Sequence, residues 1–399
     1  MGAPAARTHE HARYWARQGH DVTVVCGIPN HPTGIVPEQY RHTVLYREMV
    51  DGIRVLRCWL YATPNKGVLR RSLSFATFML SAIFFAVFFA PKCDVVVATS
   101  PQLLCGLAGY IVSVLKRRPF VLEVRDLWPR QIVDLGVVKN RFVIGVLSGI
   151  EMFLYRRAKG IVTVAEATRG EIITRGLPRE EVYTITNGID EDFFTPREHN
   201  VRLRELCGWD KRIVVMYVGT HGLSQGLGTI LETAELLRSR PEIRFVFVGS
   251  GAERQMLIDQ ARKMYLDNVD FLGMQPKEKM PECYAAADIC LVPLRKREVF
   301  LYNIPSKIFE IMACARPIVL GVEGQAKEVV EAAQAGIAVE PENPEAYAEA
   351  ITRLAEDEAL RRTYGEHGRA YAVAHYSRNR KAGDYLVCLT EILERVRKS

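Results

Sequence analysis

The amino-acid sequence predicts an α/β fold of two doubly wound parallel-sheet domains facing a cleft. Three observations point there. The chain has 399 residues, more than one hydrophobic core accommodates; it is 48% hydrophobic against 25% charged, a globular balance; and short apolar strand-like runs alternate with helical stretches along both halves. No short repeat or low-complexity tract interrupts this pattern.

In the N-terminal part, Thr8 to Gln18 has helix composition and stops at Gly19, and 21–25 reads as the strand after it. A Pro/Gly loop from Gly27 to Gly34 leads to a strand-like run Ile53 to Trp59, an apolar helix, a strand at 94–98, a helix near 104–115 and a buried strand Pro119 to Val124. Beyond Asp126-Leu127-Trp128-Pro129 the pattern is helical to Ala158, then extended from Gly160 to Val164, with short elements to Ile185. The second half has strands at Ile213 to Val218, Phe245 to Val248, Val269 to Leu272, Ile289 to Val292, Ile318 to Leu320 and Ile337 to Val339. Asn187-Gly188 and Pro196 mark residues 187–200 as a linker between domains 1–186 and 201–378. The last segment, 379–399, is helical without a place in the second sheet and is expected to cross back to the first domain.

Charge is unevenly spread. Residues 1–160 carry 21 basic and 10 acidic side chains, and 161–399 carry 32 and 36. A basic N-terminal half suits a polyanion or an anionic membrane surface. Nucleic acid is not the expected partner, because the basic residues come in ones to threes without interleaved aromatics. Nine scattered cysteines with no C-x-x-C pair make neither a disulfide framework nor a zinc site and suit the reducing cytoplasm. The first residues lack the apolar core of a signal peptide.

Ser72 to Pro91 is twenty uncharged residues with six phenylalanines, about 30 Å long as a helix. A spanning helix, a wholly internal helix and an interfacial helix all fit that composition. Interfacial contact is favoured, with Phe85 and Phe89 on the apolar face and Lys66, Arg70 and Arg71 at lipid phosphates. A spanning helix would put a bilayer between strands 21–25 and 94–98, which read as one sheet.

Glycines follow three strands of the second half, at Gly219-Thr220-His221-Gly222, Gly249-Ser250-Gly251 and Gly273-Met274-Gln275. Such turns admit a phosphate, and tight packing demands glycine there equally. None makes a P-loop or a clean dinucleotide fingerprint. The densest constellation is Pro305-Ser306-Lys307-Ile308-Phe309-Glu310-Ile311-Met312-Ala313, followed by Arg316-Pro317-Ile318. Ser306 and Lys307 at a helix start would face one anion, and Glu310 one turn on could accept from a ribose diol; a capping serine with an exposed Lys–Glu pair is the bland alternative.

That segment resembles the nucleotide-sugar segment of the retaining glycosyltransferases of family 4, whose GT-B fold sets two Rossmann-like domains across a cleft. Gly19-His20-Asp21-Val22-Thr23-Val24, the linker Asn187-Gly188-Ile189-Asp190 with Phe194 and Pro196, and Tyr217-Val218-Gly219 agree with it. Gly27 to Gly34, Glu123 to Pro129 and Tyr217 to Leu227 resemble the bacterial branch that includes N-acetyl-fucosamine transferases of envelope polysaccharide assembly. Departures are equally specific. Thr220 and Gln225 stand where the family usually has an arginine and a lysine on the donor diphosphate, and Tyr302 stands where many members have the first of two glutamates. Arg125-Asp126 ends a strand that a histidine often follows, and Gly2-Ala3-Pro4 resembles the loop after a first strand that is itself missing.

The resemblance implies a retaining, metal-independent hexosyltransferase without cofactor. It would move a sugar, N-acetylated or deoxy, from a UDP-sugar to a lipid-linked saccharide, on the cytoplasmic face of the cell membrane. Its donor site would comprise Gly219, Thr220, Gly222, Gln225, Gly249, Ser250, Gly251, Met274, Gln275, Ser306, Lys307 and Glu310. Lys307 would neutralise the leaving diphosphate, Asp126 or Glu123 would orient the acceptor, and Asn30, His31 and Arg125 would line the acceptor side. Asp190-Glu191-Asp192 spells a metal-binding D-x-D, yet its place in the linker signature argues for structure. Two other functions share these features: a nucleotide-sugar epimerase, which releases a free epimer, and a non-catalytic assembly protein, which binds nucleotide without transfer.

Overall fold

The computed structural model describes the chain except residues 1–2, 31–33, 65–67, 101, 135, 137, 198–200 and 399. It divides into two compact units, Asn187–Arg378 and Gly2–Thr186 joined by Asn379–Ser399.

The unit holding the N-terminal half contains two sheets. The first has strand order β1-β3-β2, with β1 (Thr23–Gly27) parallel to β3 (Ile53–Cys58) and β2 (Leu45–Val50) antiparallel to it. The β2–β3 turn is Asp51-Gly52, both at positive φ, the pair that a two-residue hairpin matching the strand twist requires. The second sheet is all parallel: β4 (Val96–Thr99), β5 (Phe120–Val124), β6 (Gly160–Thr163) and β7 (Val182–Thr184), in that order. The sequence places β1 and β4 in one sheet. In the structure each is instead an edge strand of its own sheet, and among the described residues no strand pairs with both.

Helix Leu103–Lys116 closes with Arg117 in the left-handed conformation, its amide bonded to Ser113 and Val114, and helix Arg141–Arg157 opens on Asn140, whose side chain accepts from the amides of Phe142 and Val143. Helix Arg378–Lys398 buries Tyr385, Cys388, Leu389 and Ile392 against Val121, Val162 and Ile185. A Cβ on Gly160 would lie 2.3 Å from Ile392, so the glycine makes room for that contact. Trp15 donates from its indole to the carbonyl of Ala382.

The apolar helix spans Val68–Phe89. Only a narrow face is buried, at Ala82 and Ala86, while Leu69, Leu73, Leu80, Phe84 and Phe88 form an exposed row at helical spacing. A wholly internal helix is thereby corrected; of the two phenylalanines placed on the apolar face, Phe89 is exposed as expected, whereas Phe85 lies part-buried and Phe84 faces out instead. Lys66 lies outside the described residues.

The second unit is built on six parallel strands in the order β10-β9-β8-β11-β12-β13. These are β8 (Ile213–Val218), β9 (Ile243–Val248), β10 (Val269–Leu272), β11 (Ile289–Pro293), β12 (Ile318–Gly321) and β13 (Gly336–Ala338). Central strands buried on both faces read as unbroken Val/Ile/Leu/Phe, and Val215, Phe245, Phe247, Leu291 and Val319 meet Leu231, Ile351 and Leu354 of the covering helices. Ile189 bridges Ser377 in parallel, and a Cβ on Gly188 would stand 2.9 Å from the Tyr376 carbonyl, which explains the glycine of the linker signature. Asp190 accepts from the amide of Phe193 and Glu191 from the hydroxyl of Ser377, so two members of the D-x-D triplet bind backbone and serine. The described cysteines are all free, and burial pushes the Cys283 thiol up to about 11.

Candidate functional site

Four segments converge at the carboxyl ends of β8, β9 and β11, where open α/β sheets bind ligands: the turn 219–227, the turn 249–254, the strand extension Leu294-Arg295 and the start of helix Lys307–Ala313. Glycine shapes the first two. Gly219 and Gly249 have φ of 148° and 142°, and a Cβ on Gly249 would lie 1.9 Å from the Gly219 carbonyl oxygen. A Cβ on Gly251 would meet the His221 carbonyl at 2.2 Å. These glycines let one turn lie on the other, so packing alone demands them.

The backbone ladder continues into the turns. Gly219 donates to the Val248 carbonyl, His221 to Ser250 and Gly249 to Leu272. The expectation that the amides near 219–222 cradle an anion is therefore corrected at Gly219 and His221, whose N–H groups are already used. At the helix start Ser306 makes no capping bond, the amides of Ile308 and Phe309 donate to Pro305 and Ser306, and the helix runs for only seven residues. Basic side chains stand at the same place.

Lys307 is the foremost of them. Its ammonium lies 4.0 Å from the centre of the Tyr217 ring, and a Cβ on Gly219 would meet it at 2.6 Å. Tyr217 is fully buried, and its hydroxyl donates to the Thr220 carbonyl at 2.7 Å, fixing the turn. Burial pushes the Lys307 ammonium down to about 7, with Glu310 pulling the other way. Glu310, on the same helix, accepts from the Tyr284 hydroxyl at 2.9 Å, and burial raises its carboxyl against the effect of that bond, of Arg378 and of Lys307. His221 is fully buried, its ring near the Val248 backbone but without a well-formed hydrogen bond at either nitrogen. Burial, with Arg254 and Lys307 nearby, pushes its ring down to about 4. Sequence reasoning gave Tyr217, His221, Tyr284 and Arg295 no role; only their places beside the glycine turns and the Lys307 segment hinted at one.

The remaining donor residues are dispersed at the same sheet end. Thr220 and Ser250 are exposed, Gln225 lies part-buried in a short 3-10 turn, and the Gln225 oxygen stands 3.2 Å from where a Gly222 Cβ would be. Met274 is exposed and Gln275 donates to the Gly273 carbonyl, so both sit on the rim of the β10 turn.

On the other unit, Glu123 lies on β5 and is buried, its Oε1 accepting from the Nε of Arg7 at 2.9 Å. Arg7 also donates to the carbonyls of Ile185 and Thr186. Burial alone would raise the Glu123 carboxyl, but Arg7, Arg125 and His11 hold it below its ordinary value. A carboxylate so held is a structural ion pair, and it does not fit the role of orienting a substrate. Arg125 and Asp126 follow β5 at its carboxyl end, both half-buried. Asn30 donates to the Ile28 carbonyl in the loop after β1, and His31 lies outside the described residues.

Comparisons with known proteins bear on the family and the fold. Residues 2–188 match the glycosyl transferase 4-like domain and residues 205–371 the glycosyl transferases group 1. The chain is 26% identical to the putative colanic acid biosynthesis glycosyl transferase WcaI of Escherichia coli K12, over 90% of this chain and 91% of that one. Among solved structures it resembles the sucrose-phosphate synthase of Thermosynechococcus elongatus, with a TM-score of 0.78, 19% identity and 99% and 94% of the two chains covered. It also resembles Anabaena HepE, solved with UDP-glucose, with a TM-score of 0.71, 17% identity and 93% and 100% covered. With one model on each unit and full-length neighbours of the same architecture, the chain belongs to the GT-B glycosyltransferases with a 4-like N-terminal and a group 1 C-terminal domain.

Proposed function

We propose that this glycosyltransferase moves a sugar from UDP to a lipid-linked saccharide with retention and without metal, in cell-envelope polysaccharide assembly. The observation that carries it is Lys307, a part-buried ammonium at the carboxyl end of β8, held over Gly219 and Tyr217. WcaI, named for colanic acid biosynthesis, and HepE, solved with UDP-glucose, support the product class and the donor. In the reaction the bond from the anomeric carbon to the diphosphate oxygen breaks, and its electron pair leaves with UDP. Lys307 stabilises that growing charge in a site of low dielectric. The acceptor hydroxyl attacks from the face that UDP leaves, and its proton passes to the departing phosphate oxygen, which preserves the anomeric configuration. Glu310 holds the ribose, and Asp126, in place of the ion-paired Glu123, orients the acceptor beside Arg125, Asn30 and His31.

The acceptor is membrane-bound in this account. The exposed row Leu69, Leu73, Leu80, Phe84 and Phe88, with Arg70 and Arg71 in its first turn, fits a helix resting in the cytoplasmic leaflet with cations at lipid phosphates. The test is a panel of UDP-sugars with lipid-linked acceptors, reading UDP release and glycolipid product. Glycolipid with the donor's anomeric configuration supports the function. A free epimer, or UDP binding without product, overturns it.

A further inference from the structure

The turn 219–227 carries no cation of its own, since Thr220 and Gln225 are neutral. Two basic side chains nevertheless cross it, each at a glycine. Lys307 crosses at Gly219, and Arg295 crosses at Gly226, where a Cβ would lie 3.2 Å from the Arg295 Cγ and where φ is +59°. The Arg295 amide donates to the Ser224 carbonyl at 2.9 Å, which fixes its Cα beside the turn, two residues past the end of β11, the strand paired with β8. We propose that Arg295 is the second cation of the donor site, binding the same diphosphate as Lys307 and supplying the charge that position 225 lacks.

The side chain is available for this. Its Nε has no hydrogen-bond partner, and the side chain as a whole is about one-third exposed. The ion pair it has, Nη2 to the Glu253 Oε1, is 3.7 Å long, beyond hydrogen-bond reach. A planar fork with an unused N–H beside a glycine turn suits two oxygens of one phosphate, as a point charge does not. Glu253 belongs to the turn stacked on 219–221, its amide donating to the His221 carbonyl, so Arg295 and Lys307 bracket one short stretch of backbone. A merely structural arginine would tie the two turns together through Glu253, and there the two accounts part.

This assignment rests on the donor reading above, and calorimetry with UDP and with uridine separates the two. Arg295→Gln should weaken UDP binding about tenfold or more and leave uridine unchanged, because only the diphosphate meets the guanidinium. Arg295→Lys should keep part of the affinity. Glu253→Gln, which removes the ion pair and spares the guanidinium, should bind UDP at least as tightly as wild type. Added guanidinium should restore turnover of a UDP-sugar by Arg295→Ala. Wild-type UDP affinity in Arg295→Gln, or equal losses in Arg295→Gln and Glu253→Gln for UDP and uridine alike, would overturn the assignment while sparing the donor site. A wild-type protein that binds no UDP would bring down both.

Discussion

The Lys307 ammonium sits 4.0 Å from the centre of the Tyr217 ring, and Tyr217 in turn holds the Thr220 carbonyl through its hydroxyl. One buried tyrosine thus fixes the turn and supports the cation that faces it. The ring face offers the ammonium partial electrostatic compensation while leaving its N–H groups for an anion.

That placement predicts how nucleotide binding depends on pH. A diphosphate binds the charged lysine, and burial pushes Lys307 down to about 7 in the free protein. Below that pH the ammonium is present; above it the nucleotide must draw in a proton, and affinity falls by up to about tenfold per pH unit. UDP affinity should decline as pH rises through neutrality, with uptake of up to one proton in calorimetry across buffers of different ionisation enthalpy. Lys307→Met should lose this dependence; an unchanged profile in that variant would mean another group titrates.

Glu123 should behave as a structural residue. Removing one partner of a buried ion pair strands the other, so Glu123→Ala should destabilise its unit by about 3–5 kcal/mol in denaturant titration. Its carboxyl is held below the ordinary glutamate value, so its contribution is present above that value and lost as pH falls through the lowered one. Acid should therefore narrow the gap between wild type and variant. Full stability of Glu123→Ala at neutral pH would reopen a catalytic role.

Because Asp190 and Glu191 hold the Phe193 amide and the Ser377 hydroxyl, turnover should survive EDTA. Loss of turnover in EDTA that Mg²⁺ or Mn²⁺ restores would show a metal neutralising the diphosphate instead.

Vesicle binding tests the apolar helix. Arg70→Gln, Arg71→Gln and Lys66→Gln together should weaken binding to anionic vesicles by about 1 kcal/mol per residue, in a salt-sensitive way, and leave a short soluble acceptor turned over as before. Phe84→Asp and Phe88→Asp, in the exposed row, should reduce binding to all vesicles if the variants keep their helix content by circular dichroism. Equal partitioning of wild type onto anionic and neutral vesicles would remove the support for a lipid-linked acceptor.

The fold was legible where burial is symmetric. Unbroken apolar runs such as Ile213–Val218 and Ile289–Pro293 can only be central parallel strands, and they were read to within a residue. β2 was missed because Leu45–Val50 alternates exposed Arg47 and Met49 with part-buried neighbours, as an edge strand does. Lys307 and Glu310 drew notice because they lie three residues apart in one contiguous motif, five of whose specified residues fall on the helix Lys307–Ala313. Arg295 and His221 were not, since what distinguishes them is an approach to Gly226 and to Gly249 and Gly251 across strand ends far apart in sequence. The amides of Gly219 and His221 were misjudged for a related reason: only the structure shows that the ladder between β8 and β9 runs on into their turns.

The central claim is that Lys307 carries the charge of a departing nucleoside diphosphate, and the most direct test is the rate of sugar transfer from a UDP-sugar by Lys307→Ala beside wild type. Loss of one preorganised charge contact should lower turnover by about 10²-fold or more, in a protein whose melting is unchanged. Transfer at the wild-type rate would contradict the account and move the donor site elsewhere.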